Sequence, residues 1–400
     1  MAPRIHIVCQ NPNDDRVIPR FARLLRDHLG WTLGAAPDPR ADVIYLLAYF
    51  EASRMRPWPD GPVAAYFTHR EEEPPGNAKA KLYDQIAARV QLRVAMCRLY
   101  GEPLSKYGPT AIPPLPVERD RFVIASRERG KRPVVGLSGY TYTNHRKGED
   151  LVRGMLASTV ASRVEWRASG RGWPVPTKRY SWAEMPEFYQ GLDVLVCPSR
   201  VEGGPMPVLE ALSCGVSVVI PRGVGILDEI PDTAGIYRYE RGDLASLLVA
   251  LDQAAFPDEK VDREALRDSV SGHSVETFVD AHRIAFEATF GGDGAGIAEE
   301  ATETVVVEMP KSQKPVGRNT NSKRGIYVVA FGMPARESAL RLMESAKRHM
   351  PDIPICLCAA SKIGPEDVLI KQPDSDVGGR RAKLAAYELT PPEWRAVLYL

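Results

Sequence analysis

The sequence predicts an α/β protein with two doubly wound domains followed by a shorter third unit. Apolar strand-like runs alternate with helical segments along most of the 400 residues, and such alternation is typical of parallel sheets. This length exceeds that of one ordinary domain. A small, polar, Pro/Gly-rich stretch interrupts the pattern once. We therefore place domains at 1–122, 123–290 and 324–400, with a flexible linker at 291–323.

Composition narrows the classes of function. A net charge of +1 provides no basic field for nucleic acid or an anionic membrane surface. The six cysteines form no CxxC pair, which favours reduced core thiols of a cytoplasmic protein. The chain begins directly with a strand-like run, and no segment approaches the roughly 20 apolar residues of a membrane span. We therefore expect no transmembrane segment and a cytoplasmic location.

The first domain follows a regular strand–helix alternation. Its predicted strands cover 4–9, 42–49, 62–68 and 92–97, and its predicted helices cover 17–29 and 78–90. A proline-rich crossing at 112–116 ends the domain. His69 directly follows the strand at 62–68.

The second domain repeats this alternation. We predict strands at 134–137, 164–168, 194–197 and 216–220, a capping box at Ser181 and Glu184, and an amphipathic helix at 274–290. The apolar stripe of that last helix predicts that it packs back across both domains. After the first of these strands, Gly139 opens a turn, and Lys147 precedes the next helix.

The stretch 194–222 forms one βαβ unit and carries two carboxylates. Glu202 lies in the turn before the helix and Glu210 within the helix, with seven residues between them. Gly203 and Gly204 allow the backbone to approach a ligand closely, and Pro205 or Pro207 suits the first helical turn. Free N–H groups of that turn face the edge where open α/β sheets bind anions.

The segment EGGPMPVLEALSCG resembles the Glu-x7-Glu signature of retaining glycosyltransferases with two facing Rossmann domains, the GT-B fold. The resemblance implies that Glu202 contacts the sugar of a nucleotide-sugar donor and that Glu210 binds the ribose hydroxyls. It also implies donor contacts from the intervening turn (Gly203, Gly204, Pro205 and Met206), retention of configuration, and no metal or other cofactor.

The same family places basic residues around the donor diphosphate. Lys147 matches one of them, after the turn at Gly139. Tyr140 stands where the family usually has arginine, so Arg146 or Arg171 is expected to supply the missing charge.

The first domain matches the family less closely. His69 resembles the family histidine near the reacting sugar, which makes Glu202, Lys147 and His69 the predicted catalytic residues. The first loop, QNPNDDR, lacks the glycine pair that is common in the family. We therefore expect the first domain to provide mostly acceptor contacts.

In the last segment, 324–400, we predict strands at 326–331, 353–358 and 396–400 and a helix at 337–349. This segment resembles more weakly the nucleotide-binding half of a GT-A glycosyltransferase, and we expect it to be incomplete. The family's Asp-x-Asp metal motif does not follow its final strand. Asp374 and Asp376 have the spacing of an Asp-x-Asp motif, but they lie in a polar turn after a proline and not after an apolar strand, so no metal site is predicted there.

These patterns predict sugar transfer from a nucleotide-sugar to an acceptor of unidentified class: a glycan, a protein, a nucleic-acid base or a small molecule. Two alternatives stay open. A sugar-nucleotide epimerase shares the architecture, although the Glu-x7-Glu spacing argues against it. The other alternative is a non-catalytic glycan- or nucleotide-binding module of a larger enzyme. Tyr140 and the absence of the glycine pair in the first loop favour it.

Overall fold

A computed structural model describes residues 3–72, 77–126 and 130–291, together with short pieces of the later chain. The chain divides into two compact units, residues 1–301 and 302–400. Most of the predicted linker and of the predicted helix at 337–349 lies outside the described residues, as do Asp374 and Asp376.

The first sheet of the larger unit has six parallel strands in the order β2-β1-β3-β4-β5-β6. Its strands are β1 Ile5–Val8, β2 Thr32–Gly34, β3 Val43–Leu46, β4 Val63–Phe67, β5 Leu92–Ala95 and β6 Thr110–Ala111. Helices α1 Val17–Leu29, α2 Ala78–Arg89 and α3 Arg98–Leu104 connect them. The four strands β1, β3, β4 and β5 are buried along their whole length, as expected of a parallel sheet covered on both faces.

The second sheet is also parallel, in the order β12-β11-β10-β7-β8-β9. Its strands are β7 Val134–Tyr140, β8 Glu165–Arg171, β9 Thr177–Lys178, β10 Val194–Val196, β11 Ser217–Pro221 and β12 Ile236–Tyr239. The strand order reverses between β7 and β10. Ligands of open α/β sheets bind outside the carboxyl ends of the strands at such a reversal, which directs attention to the loops after these two strands.

Six helices accompany the second sheet: α4 Glu149–Leu156, α5 Met185–Gln190, α6 Met206–Ser213, α7 Leu244–Ala255, α8 Arg263–Asp268 and α9 Val275–Phe290. The predicted capping box is present, since Glu184 accepts hydrogen bonds from the Ser181 backbone and hydroxyl at 2.8 Å. It begins a 3₁₀ turn, Trp182–Glu184, which leads into α5.

The last helix of this unit returns to the first domain, as its apolar stripe predicted. Helix α9 packs on α1, with the rings of Phe278 and Phe21 centred 5.2 Å apart. The ring of Phe286 lies 4.6 Å from that of Trp31. The buried contacts of α9 therefore connect the end of the second domain to the core of the first.

The smaller unit contains a five-stranded sheet in the order β13-β16-β15-β14-β17, in which only the β13–β16 pair is antiparallel. Its strands are β13 Val316–Gly317, β14 Arg324–Ala330, β15 Ile355–Ala359, β16 Val368–Lys371 and β17 Ala396–Tyr399. β14, β15 and β17 fall where strands were predicted. β13 lies inside the predicted linker, and β16 was not predicted. The resemblance of this unit to a GT-A half stays a prediction.

Within the residues described, none of the helices combines the length and apolar character required to cross a bilayer.

Candidate functional site

Four predicted site residues meet at the carboxyl ends of β4, β7 and β10. The Lys147 ammonium, from the loop after β7, donates to the carboxylate of Glu202, from the loop after β10. Arg146 Nη1 lies 2.8 Å from Nε2 of His69, which follows β4 in the first domain. We call Lys147, Glu202, Arg146 and His69 the charged cluster. Its members come from both domains and from both sides of the strand reversal.

The Lys147–Glu202 pair is ionised although Glu202 is buried and Lys147 is partly buried. Burial by itself raises the pKa of the Glu202 carboxyl, but the positive charges of Lys147 and Arg146 outweigh it and lower the pKa below the ordinary value of 4.5. Burial likewise opposes the charge on Lys147, and the facing Glu202 carboxylate raises the pKa of that ammonium overall. The loop therefore presents a fixed positive and a fixed negative charge in direct contact.

His69 is neutral in this setting. Burial and the nearby Arg146 guanidinium lower the pKa of the imidazole below its ordinary value of 6.5. A guanidinium can only donate, so Nε2 of His69 accepts from Arg146 and the ring proton is assigned to Nδ1. Glu71 Oε1 lies 3.7 Å from His69 Nε2 and 3.9 Å from Arg146 Nη1, which adds a carboxylate to the rim of the cluster.

Glu210 lies apart from the charged cluster, in the contact between the domains. Its side chain is buried, with Oε1 3.3 Å from Arg20 Nη2 of α1 and Oε2 accepting from the Tyr189 hydroxyl at 2.7 Å. The Arg20 guanidinium also stacks on the ring of Trp182, 3.2 Å from its centroid. Burial raises the pKa of the Glu210 carboxyl, and Arg20 and Tyr189 offset only part of that effect.

A ribose bound by Glu210 would share this carboxylate with Arg20 and Tyr189. The ribose contact of Glu210 stays a prediction. Sequence reasoning missed Arg20 altogether, because 190 residues separate it from Glu210 and no local pattern marks a contact of that range.

The two glycines after Glu202 bring the domains together. A Cβ on Gly203 would lie 2.0 Å from the Thr68 carbonyl oxygen, and one on Gly204 would lie 2.1 Å from Leu115 Cδ1. Both neighbours belong to the first domain. The side of each glycine that would bear a Cβ is thus packed against the first domain, and the donor contacts of these two residues stay a prediction. Pro205 and Met206 follow at the start of α6, and both are buried.

Gly139 lies beside the charged cluster, whereas Arg171 lies outside it. Gly139 has a φ of +108°, and a Cβ there would lie 3.8 Å from Lys147 Nζ, so the turn runs beside the ammonium. Arg171 is exposed, and its guanidinium carbon lies 5.4 Å from the centre of the Tyr140 ring. Of the two arginines considered for the missing charge, the structure brings Arg146 into the cluster.

The described part of the chain has no group of three or more His, Cys, Asp and Glu side chains arranged to hold a metal ion. The expectation of a reaction without metal stays a prediction.

The sequence model of a known enzyme family matches the central part of the second domain. The family described as Glycosyl transferases group 1 matches residues 177–237, from β9 to the start of β12, and this segment includes Glu202 and Glu210. This match supports the prediction of a glycosyltransferase. No curated protein matches the chain in sequence.

Solved glycosyltransferase structures share the fold of this chain at low sequence identity. Sucrose-phosphate synthase from Thermosynechococcus elongatus has 12% identity and a TM-score of 0.55, over 72% of this chain and 97% of that one. Anabaena HepE, in complex with UDP and glucose, has 11% identity and a TM-score of 0.59, over 72% and 100%. A Rickettsia africae glycosyltransferase has 11% identity and a TM-score of 0.55, over 73% and 99%. The chain is a glycosyltransferase.

Proposed function

We propose that this glycosyltransferase moves a sugar from a nucleotide-sugar donor to an acceptor, with retention of the anomeric configuration. The observation that carries the proposal is the charged cluster. A partly buried lysine–glutamate pair and a neutral histidine meet at the strand reversal of the second sheet, at its contact with the first domain. Opposite charges in one crevice suit a substrate that has a sugar and a diphosphate side by side.

Each residue of the cluster has a role that fits its charge. Lys147 and Arg146 bind the diphosphate beside the turn at Gly139, and Glu202 accepts hydrogen bonds from the donor sugar. Glu210 receives the ribose hydroxyls after the Arg20 contact yields. Charge-assisted hydrogen bonds of this kind contribute about 1.5–3 kcal/mol each. A uridine nucleotide is the first choice, because HepE, which shares the fold, was solved with UDP-glucose.

The transfer has a defined balance of bonds and charges. The acceptor oxygen forms a bond to the anomeric carbon, and the bond from that carbon to the donor phosphate breaks. The nucleoside diphosphate leaves with the bonding electron pair, and the acceptor proton passes to its phosphate oxygen. Lys147 and Arg146 stabilise the negative charge that develops there, a role that preorganised cations serve without a metal.

His69 orients the donor sugar in this proposal. As a neutral ring, it offers the Nε2 lone pair to a sugar hydroxyl once Arg146 turns to the diphosphate. We assign it this positioning role at the reacting sugar.

A donor screen tests the proposal directly. The full chain is heated with UDP-, GDP- and ADP-glucose, and one of them should raise the melting temperature. A ligand at about 100 times its dissociation constant adds roughly 2.7 kcal/mol of stability. Glu202→Gln and Lys147→Ala should abolish slow hydrolysis of that donor, followed as release of free nucleotide.

The outcomes of this screen separate the alternatives. Binding without hydrolysis or transfer would favour the non-catalytic binding module. Conversion of the donor sugar to its epimer without acceptor would favour the epimerase. No binding of any nucleotide-sugar would overturn the proposal.

A further inference from the structure

A second feature of the larger unit lies next to the charged cluster. A cavity of ≈ 770 Å³ opens between the two domains. The first domain contributes Tyr100 and Tyr107, from α3 and the turn after it, and the second contributes Arg200 and Arg241, from the loops after β10 and β12. Pockets of roughly 300–1,000 Å³ are the usual size for small-molecule ligands.

Two loops contribute residues both to the lining of the cavity and to the charged cluster. Arg70 lines the cavity and follows His69 in the chain, while Val201 lines it and precedes Glu202. Tyr100 is within electrostatic reach of Glu202: burial raises the pKa of the tyrosine to about 12, and the Glu202 carboxylate adds to that rise. A molecule in the cavity would therefore lie beside the site proposed for the donor sugar.

Two cations of the cavity have no carboxylate partner in the described part of the chain. Arg70 pairs with Asp84 at 2.8 Å, and Arg200 donates to Asp150 at 2.7 Å. Arg241 donates to the Gly223 carbonyl at 3.4 Å. Lys106 lies 4.9 Å over the ring of Tyr107.

Arg241 and Lys106 come from different domains and border the same cavity. Their charges are available to a ligand that reaches both. An unpaired guanidinium binds a carboxylate or a phosphate through two parallel hydrogen bonds, and an ammonium adds a point charge.

We propose that this cavity is the acceptor subsite and that the acceptor is an anionic sugar, carrying a phosphate or a carboxylate that Arg241 and Lys106 bind. The inference rests on the proposed function and deepens it. The rings of Tyr100 and Tyr107 pack against the apolar face of the sugar, and their hydroxyl groups reach its polar edge. The free hydroxyl of the acceptor then points toward Glu202 and the donor.

Binding of simple probes to the full chain tests this subsite without a donor. Glucose 6-phosphate, glucuronate and glucose are titrated separately by calorimetry. We expect at least one of the two anionic probes to bind about tenfold more tightly than glucose, since a charge-assisted contact contributes about 1.5–3 kcal/mol. The stronger of the two identifies phosphate or carboxylate as the recognised group. Equal affinity for all three probes, or no binding of either anion, would overturn the proposal.

A matched pair of variants locates the contact. Arg241→Ala should weaken the preferred anionic probe about tenfold or more, and Arg241→Lys should keep part of the affinity. Arg222→Ala is the control, because Arg222 is an exposed arginine nearby that pairs with Glu240 at 3.5 Å and does not line the cavity. Equal losses in Arg241→Ala and Arg222→Ala would mean a non-specific charge effect and would reject the subsite.

Donor binding separates failure of this subsite from failure of the proposed function. Arg241→Ala should leave nucleotide-sugar affinity unchanged. A wild-type chain that binds donor but no anionic probe would reject the subsite alone, and a chain that binds neither would reject both.

Discussion

Lys147 and Glu202 form an ion pair in the charged cluster, and a bound donor must replace this contact by interacting with both side chains. The ammonium turns to the diphosphate, where negative charge grows as the glycosidic bond breaks. The carboxylate turns to the sugar hydroxyls, and the charge on these hydroxyls changes little as the same bond breaks. Lys147 should therefore act more on the transition state than on the bound donor.

Lys147→Ala is the test at this residue. The turnover rate should fall roughly 10²–10³-fold, the range for removing one electrostatic partner of a transition state. Affinity for the nucleoside monophosphate should change much less, because it lacks the group that Lys147 faces. Steady-state transfer kinetics and calorimetry measure the two effects separately.

Arg146 provides the comparison for Lys147. Since Tyr140 stands in the place of the usual arginine, Arg146→Ala should also slow turnover, whereas Arg171→Ala should not. If both Lys147→Ala and Arg146→Ala keep wild-type turnover on a confirmed donor, the diphosphate is bound elsewhere.

The buried Arg20–Glu210 pair makes a second prediction, on stability. Glu210→Gln keeps an acceptor for Tyr189 but leaves the Arg20 charge without its nearest partner. Removing one member of a buried ion pair lowers the free energy of unfolding by about 3 kcal/mol or more. We expect the smaller value here, because Glu118 remains 3.8 Å from Arg20 as a second partner. Urea unfolding at neutral pH measures the loss.

A double mutant separates this pair from general damage. Arg20→Met with Glu210→Gln removes the uncompensated charge, so the double variant should regain part of the stability that Glu210→Gln loses. Strictly additive losses would show that the two side chains are not coupled in the folded protein.

At the scale of elements, helix α9 contains a buried histidine whose pKa is lower in the folded protein than in the unfolded chain. His282 donates from Nδ1 to the Phe278 carbonyl at 2.9 Å and accepts from the Tyr45 hydroxyl at 3.1 Å, so the neutral ring has both partners satisfied. Burial lowers the pKa of His282 to about 4 from its ordinary value of 6.5.

This pKa fixes the direction of a pH effect. The unfolded chain takes up the proton first, so the contribution of His282 is complete above pH 6.5 and is lost as the pH falls toward 4. The loss amounts to about 3 kcal/mol, since each pKa unit corresponds to about 1.36 kcal/mol. Urea unfolding at pH 7 and pH 4.5 should reveal it.

The matched variant for α9 removes both partners of the hydrogen bond. His282→Leu with Tyr45→Phe should flatten the stability profile between pH 6.5 and 4, although His69 and His273 keep a smaller slope because their pKa values are also lowered. An unchanged slope would show that His282 is not the titrating group.

At the scale of the whole molecule, the larger unit has both six-stranded sheets and every residue of the proposed donor and acceptor sites. A chain ending at residue 301 should therefore fold and bind the donor within about twofold of the full chain, since a domain with its own core folds independently. Calorimetry with the donor found in the screen measures this. A truncated chain that folds but binds no donor would assign the smaller unit a part in the site.

Much of the fold follows from local patterns in the sequence. Mostly apolar runs predicted β1, β3, β4, β5, β7, β10 and β11, because strands buried on both faces need no alternation. β8 was also predicted, although it is largely exposed and contains charged residues. Four strands of the larger unit were missed: β12, at an edge of the second sheet, and the short strands β2, β6 and β9. The three short strands explain the failure best. They are two or three residues long and partly or wholly exposed, so edge pairing rather than composition makes them strands.

Candidate donor residues in the second domain were also readable from sequence, because one βαβ unit brings Glu202 and the glycines into the same loop. What only the tertiary structure decided are the contacts between domains. His69 next to Arg146, Arg20 on Glu210, and the cavity that Arg241 and Lys106 both line each join segments far apart in the chain. The burial and the charge of the residues at such contacts depend on how the two domains pack against each other. Hydrophobic periodicity predicts one helix or strand at a time and therefore does not predict this packing.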